Sequence, residues 1–238
     1  MPRFKADLHT HTVLSPCGDV DMAPRIIVAT ALSRGLDIIA VTDHNSTLQC
    51  ESVRAAAAGT SLTVLCGAEV TSAEEVHCLA IVPWGAPREA LQEYLSAHLA
   101  DIQNDPDLFG YQLAVDEDEH VIAEEPRLLI SAISQNIEQI EQKVHALGGI
   151  FIPAHIDRPM NGLLSHLGFL PPGLRVDALE LSPRVSVDGF RAARPELAGQ
   201  RFVTFSDAHH PDAIARRHTV FDLPEASFEA LRMALSNK

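Results

Sequence analysis

Residues 36–44, LDIIAVTDH, set a short β-branched apolar run against a polar end, Thr42-Asp43-His44. A run that is apolar throughout and only as long as a strand is the pattern of a strand buried on both faces in a parallel sheet. The arrangement recurs in both directions along the chain. Residues 3–8 lead to His9 and His11, and 61–68 to Glu69. Residues 149–154 lead to His155, 176–181 to Ser182, and 201–205 to Asp207 and His209. Helical spacing predicts helices between these runs, over 24–34, 46–58, 88–102, 137–147 and 225–235. Pro24 suits a first turn, and Gly35 and Gly59 suit the stops. Strand–helix alternation predicts an α/β fold with a mainly parallel sheet, which carries its site at the carboxyl ends of the strands. The polar residues fall there together, which favours a barrel with one chemical face.

The alternation breaks over 101–131. Residues 111–115, the acidic run 116–119 and residues 120–123 read as a β-hairpin. The reading is a single domain over 1–238 with an insertion at 101–131. A length of 238 residues suits one larger domain. Hydrophobic residues at 46% and charged residues at 21% exclude wholesale disorder and a fibrous repeat. The formal net charge of −14 disfavours long nucleic acid and anionic membranes as partners. No apolar run approaches the ~18 residues of a membrane span. The start, MPRFKADLHTH, lacks an apolar signal core. Cys17, Cys50, Cys66 and Cys78 form no C-x-x-C pair. The expectation is a cytoplasmic protein with reduced thiols.

His9-x-His11 puts two imidazoles on one side of an extended chain, because strand side chains alternate with period two. Asp7 shares that face and is expected to orient an imidazole or to bind an ion directly, and Asp43 beside His44 is expected to orient an imidazole. One H-x-H pair is weak evidence. Here, however, His44, Glu69, His77, His155, Asp207 and His209 all fall at or beside strand ends. Six histidines and two carboxylates exceed what one ion needs. The mixture of nitrogen and oxygen donors suits Zn, Mn or Fe and disfavours Ca or Mg cages. Two or three divalent transition-metal ions per chain are therefore expected, and such clusters generate hydroxide and clamp phosphoester oxygens.

The ordered series DLHTH, TDHN, GAEV, EVH, PAHIDRP and SDAH resembles the PHP (polymerase and histidinol phosphatase) superfamily. The resemblance runs from Asp7 to about His209. It implies a distorted (β/α)7 barrel with a trinuclear metal site at the strand carboxyl ends, and metal-dependent phosphoester hydrolysis. It further implies one ion on His9, His11, Glu69 and Asp207, a second on Glu69, His77 and His155, and a third on His44 and His209. Many members carry Ser-Asp-Gly after the first motif, with the Asp on the third ion. This chain has Leu14-Ser-Pro-Cys-Gly-Asp-Val-Asp21 there. Asp19 is the first candidate for the missing ligand, then Cys17, then Asp21.

The leading functional expectation is hydrolysis of a small anionic phosphomonoester by a metal-bound hydroxide, with Asp207, His209 and His44 available for proton transfer. Arg158 and Arg184, each three residues past a strand end, are expected to hold the substrate anion, since a guanidinium fork matches phosphate. The alternatives are a phosphodiesterase or exonuclease on short oligonucleotides, and a non-catalytic metal-binding regulatory domain. The nearly complete ligand set favours an enzyme.

Overall fold

The computed structural model describes residues 1–236. Its ten strands are β1 (Arg3–Asp7), β2 (Ile38–Val41), β3 (Thr63–Thr71), β4 (His77–Val82), β5 (Leu113–Val115), β6 (Val121–Glu124), β7 (Ile150–Pro153), β8 (Leu179–Leu181), β9 (Phe202–Thr204) and β10 (Thr219–Asp222). Its eight α-helices are α1 (Pro24–Ser33), α2 (Cys50–Ala56), α3 (Ala86–His98), α4 (Pro106–Phe109), α5 (Ile137–Ala146), α6 (Leu163–His166), α7 (Val187–Ala193) and α8 (Phe228–Ser236).

The main sheet has the order β10-β1-β2-β3-β4-β7, and β8 pairs with β9 in a separate parallel pair. The pair is not isolated from the sheet. Asp177 N donates to Phe151 O at 3.0 Å and Ile156 N to Glu180 O at 2.9 Å, which sets β8 beside β7. His11 N donates to Ala208 O at 3.0 Å, which brings the chain beyond β9 to the end of β1. The sheet is therefore curled, in a mixed α/β fold.

The expectation of a mainly parallel sheet needs correction. β1, β2 and β3 are parallel, but β4 runs antiparallel to both β3 and β7, and β10 runs antiparallel to β1. The link from β3 to β4 explains the first reversal. Only five residues separate Thr71 from His77, too few for a crossover. A consequence bears on the site. Because β4 is reversed, His77 stands at its start, yet lies opposite Thr71 at the end of β3.

Residues of β2, β3, β4 and β7 are buried on both faces, which is why their runs carry little alternation. Ile38, Ala40, Leu79, Ile81, Ile150 and Ile152 belong to one apolar cluster, together with Phe228 and Leu231 of α8. Their neighbours Ile39, Val41, Ala80 and Phe151 belong to a second cluster with Ile27, Leu91 and Val144 of the surrounding helices. Each such fully buried large side chain contributes about 1.5–3 kcal/mol. Thr63, at the start of β3, donates to Ala226 O at 2.9 Å, so α8 closes the end of the sheet away from the site. α5 backs β7 and starts on a capping box: Asn136 Oδ1 accepts from Gln139 N at 2.8 Å and Gln139 Oε1 from Asn136 N at 2.9 Å.

The hairpin expected near 111–123 is present as β5 and β6. Arg25 of α1 donates to Glu117 O at 2.7 Å and pairs with Asp118, which ties the acidic turn to the first helix. The helix expected from residue 46 begins later, at Cys50. Thr47, inside the expected span, is held by Gln92, whose Oε1 accepts from Thr47 N at 2.6 Å and Thr47 Oγ1 at 2.9 Å. Among the described residues no helix is long and apolar enough to cross a membrane.

Candidate metal centre

The carboxylate of Glu69 lies at the middle of the polar end of the sheet. It is buried and meets five imidazoles. Oε1 lies 3.1 Å from His9 Nε2, 2.8 Å from His77 Nδ1 and 3.0 Å from His155 Nε2. Oε2 lies 3.4 Å from His11 Nε2 and 3.2 Å from His44 Nδ1. Asp207 Oδ1 closes the other side, 3.3 Å from His9 Nε2 and 3.4 Å from His11 Nε2. His209 Nδ1 stands 3.0 Å from the Asp207 carbonyl oxygen, and its ring stacks on His11 with centroids 4.1 Å apart.

The outer nitrogens of the first two rings are fixed by hydrogen bonds, which decides what the inner ones offer. His9 Nδ1 donates to Glu180 Oε2 at 3.0 Å. Ser15 donates its hydroxyl to Asp43 Oδ1 at 2.7 Å, so its oxygen accepts from His11 Nδ1 at 3.0 Å. In neutral rings held this way, both Nε2 lone pairs face one another at 3.4 Å and face carboxylate oxygens as well. A divalent cation satisfies that arrangement. Ligands at ~2.1 Å from a tetrahedral ion lie about 3.4 Å apart, matching these separations. His44 Nδ1, 3.2 Å from Glu69 Oε2, is buried without a hydrogen bond, which again fits a donor reserved for an ion. Donor atoms within 4.8 Å of one another form four groups: His9–His11–Glu69, His9–His155–Asp207, His44–Glu69–His77 and His11–Cys17–His44–His209.

Backbone strain collects at these positions. His155 has φ 27° and Asp207 has φ 51°, left-handed values that cost a non-glycine residue on the order of 1–3 kcal/mol. The surrounding structure holds them there: Glu180 Oε2 accepts from His155 N at 3.2 Å.

Electrostatics follow from the same contacts. Burial pushes the Glu69 carboxyl up, but His77 and His9 outweigh it and hold the group well below the usual carboxylate range. Asp207 is likewise held low, against burial, by His9 and His11. Burial and the adjacent His11 push the His44 ring well down and the His209 ring down to about 4, so both are neutral donors at pH 7.

The expected residues divide clearly. His9, His11, His44, Glu69, His77, His155, Asp207 and His209 are brought together. Asp19 is not among the grouped donors: its carboxylate accepts from Asp21 N at 2.8 Å and faces His210 at 3.2 Å. Asp21 is exposed on the same loop. Cys17, by contrast, joins His11, His44 and His209. Asp43 acts on His11 through Ser15 and also accepts from Thr12 N at 2.7 Å. Asp7 accepts from Ser206 N at 3.0 Å and Ala215 N at 2.9 Å, so its carboxylate ties the β1 end to the segments following β9, while burial raises it to about 6.

Glu180 was not anticipated. It sits fully buried in β8, in a stretch that reads as one more apolar strand. Its only sequence signal is a carboxylate two positions after Ala178, which faces the inner apolar cluster. Glu180→Ala should leave the fold in place, free the His9 tautomer, and weaken metal affinity by about 10–100-fold, the usual cost of losing such a support. Metal titration of the purified variant measures this, and unchanged affinity would remove Glu180 from the design.

A cavity of about 790 Å³ opens beside the cluster, walled by His77, His155, Arg158, Ser182 and Arg184. Arg158 Nη2 lies 2.5 Å from Asp207 Oδ2, so the guanidinium reaches from the cavity wall to the cluster. A second cavity of about 740 Å³ includes His145, Asp177 and Arg175 in its wall. Its polar groups already satisfy one another: His145 bridges Glu141 at 2.5 Å and Asp177 at 3.0 Å.

The PHP domain family model matches residues 7–153, which include the grouped donors His9, His11, Cys17, His44, Glu69 and His77; His155, Asp207 and His209 follow the matched span. The uncharacterized protein YqxK of Bacillus subtilis is 25% identical over 270 residues, covering 100% of this chain and 63% of its own length. This chain thus spans under two thirds of that relative. The lesion-specific endonuclease EndoQ of Pyrococcus furiosus superposes with a TM-score of 0.73 at 18% identity, over 98% of this chain and 56% of its own. A Bifidobacterium adolescentis protein assigned as a metal-dependent phosphoesterase gives 0.63 at 20% identity, over 97% and 95% of the two chains. An amidohydrolase of Chromobacterium violaceum, solved with bound sulfate and no metal, gives 0.58 at 21% identity, over 97% and 96%. These likenesses concern the fold.

Proposed function

The chain belongs to the PHP domain family, and on that premise we propose that it is a metal-dependent phosphoesterase acting on a small phosphomonoester. The observation that carries the reading is the cavity of about 790 Å³ that joins the carboxylate–imidazole cluster to two guanidinium groups. Its size suits a small ligand rather than a polymer. The −14 formal charge supports the same choice, because an acidic chain repels long polyphosphate backbones. We take the curled sheet, with β8 and β9 bridging β7 to β1, as the distorted seven-stranded barrel of the family.

His9, His11, Glu69 and Asp207 would hold one ion, Glu69, His77 and His155 a second, and His44 and His209 a third. When bound, such ions activate water and neutralise phosphoryl oxygens. The chain's own residues do the rest. Glu180 and Ser15 hold the His9 and His11 rings with Nε2 turned inward. Arg158 and Arg184 fix the phosphoryl oxygens through planar donor forks. Asp207 divides its carboxylate: Oδ1 faces His9 and His11, and Oδ2 faces Arg158. Held anionic and paired through Oδ2, Asp207 would serve as a ligand and as the anchor that aims Arg158, rather than as a strong proton acceptor. His44 and His209, kept neutral by burial, suit ligation better than proton donation.

Metal-reconstituted protein should hydrolyse phosphomonoesters faster than phosphodiesters, single-stranded oligonucleotides or lesion-bearing duplexes. Preference for the oligonucleotides would replace the monoester reading with the nuclease one. Arg158→Lys should lower kcat/KM on the order of 10- to 100-fold, the equivalent of losing a charge-assisted hydrogen bond of about 1.5–3 kcal/mol. Inhibition by inorganic phosphate should weaken in parallel while metal content stays normal. If Arg158→Ala and Arg184→Ala each left phosphate inhibition and kcat/KM unchanged, the anion-binding role of this wall would be wrong.

A further inference from the structure

We propose that Cys17 is a thiolate ligand of the third ion, which makes that position a nitrogen–sulfur site selective for a zinc-class cation. The inference rests on the metal-dependent reading above and specifies which residue completes its least conventional site.

The donors of His11, Cys17, His44 and His209 lie within 4.8 Å of one another, close enough to share one ion. The carboxylates that would otherwise serve are engaged elsewhere, Asp19 with Asp21 N and His210, and Asp21 out at the surface. His44 supplies an independent sign. It is only 5% exposed, and its Nδ1 has no hydrogen-bond partner. His11 Nε2 faces the first ion's donors and its Nδ1 is held by Ser15, which leaves the third ion two neutral rings, His44 and His209, too few donors and no compensating charge. A thiolate brings one, and soft sulfur with borderline nitrogen selects zinc over manganese or magnesium.

The Cys17 loop is built rather than loose. Ser15 N donates to Thr12 O at 3.2 Å, Gly18 N to Ser15 O at 2.8 Å, and Asp19 N to His209 O at 2.8 Å. The last bond stitches the cysteine loop directly to the segment carrying His209. Gly18 permits the turn, because a Cβ there would stand 2.2 Å from the Thr12 carbonyl oxygen. From the other side the insertion backs the loop: a Cβ at Gly110 would stand 3.0 Å from Pro16 O. The thiol is thus held beside His209 before any ion arrives.

The other cysteines give a clean background. Cys50, Cys66 and Cys78 are buried among apolar side chains, and Cys17 is the exposed one of the four. Titrating the metal-free full chain with cobalt(II) tests the proposal. A sulfur-to-cobalt charge-transfer band in the near-ultraviolet is expected in the wild type and should vanish in Cys17→Ser and Cys17→Asp. Cys17→Ser should bind one fewer ion per chain by elemental analysis, whereas Cys17→Asp, which restores a carboxylate, should recover that ion without the band. Iodoacetamide should label Cys17 in metal-free protein, and bound zinc should protect it. Cobalt bound at two or more ions per chain with no sulfur band, and full stoichiometry in Cys17→Ser, would overturn this inference and leave the metal-dependent reading standing. Failure of the wild type to bind cobalt or zinc at all would overturn the metal-dependent reading itself.

Discussion

Glu69→Gln is expected to abolish most turnover and to release bound metal. The substitution keeps the side-chain shape and removes one charge from a buried group that meets His9, His11, His44, His77 and His155 within 3.4 Å. Glu69 lies within 3.4 Å of donors of all three proposed ions, so its loss leaves neighbouring cations unshielded in a low-dielectric site. The fall in turnover should exceed the ~10–100-fold that loss of an outer supporting residue costs. Metal content by elemental analysis should drop by at least one ion per chain. The metal-free variant should also melt lower, because removing one partner of a buried charged pair costs about 3–5 kcal/mol. His120→Ala is the control, since that side chain is 78% exposed on the insertion hairpin. Wild-type turnover by Glu69→Gln on every substrate of the parent enzyme would show that the cluster is not the active site.

The residues of this cluster other than His77 were legible in the sequence because they follow runs whose composition already reads as buried strands. His155 after residues 149–154 and Asp207 after 201–205 are examples. What was not legible depended on direction and facing, which composition does not carry. β4 was overlooked as a strand although His77 was chosen as a ligand. An antiparallel strand brings its first residue to the face where its parallel neighbours end, so a rule about carboxyl ends places His77 correctly for the wrong reason. β10, a four-residue edge strand with only Phe221 buried, has too little apolar signal to stand out. Glu180 was hidden by its neighbours. Within Leu179-Glu180-Leu181 a single carboxylate reads as an interruption, and only the curl of the sheet turns it toward His9. The order of candidates for the third site was open in the sequence for another reason. Asp19 and Cys17 are two residues apart on one loop, and the loop's placement includes the bond from Asp19 N to His209 O, a contact between segments 190 positions apart that composition does not carry.

Protons and metal ions should compete at the centre, and the competition should be visible in stability between pH 6.5 and 9. Burial alone would push the His9 and His11 rings down. The carboxylates of Glu180, Asp207 and Glu69 instead raise His9 well above 6.5, and hydrogen bonds to Asp207 and Glu69 raise His11 to about 9. In metal-free protein these two protons therefore do electrostatically what cations do in the loaded form. A folded-state value above the unfolded one contributes stability that is complete below about pH 6.5. In this window the native state binds more protons than the unfolded chain, so that stability is lost as pH rises toward 9. Metal-free Tm should fall across the window for this reason. His145, raised by Asp177 and Glu141, adds a slope of the same sign far from the centre, so the absolute fall is not diagnostic. The difference between loaded and metal-free Tm is diagnostic, because an ion must displace the protons of His9 and His11 to bind. That difference should widen as pH increases from 6.5 to 9. Calorimetric titration with zinc at pH 7.5, in buffers of different ionisation enthalpy, should register net proton release. A Tm difference independent of pH, together with binding heats independent of buffer, would mean that His9 and His11 are already deprotonated before the ion arrives, and that Glu69 and Asp207 face two neutral rings.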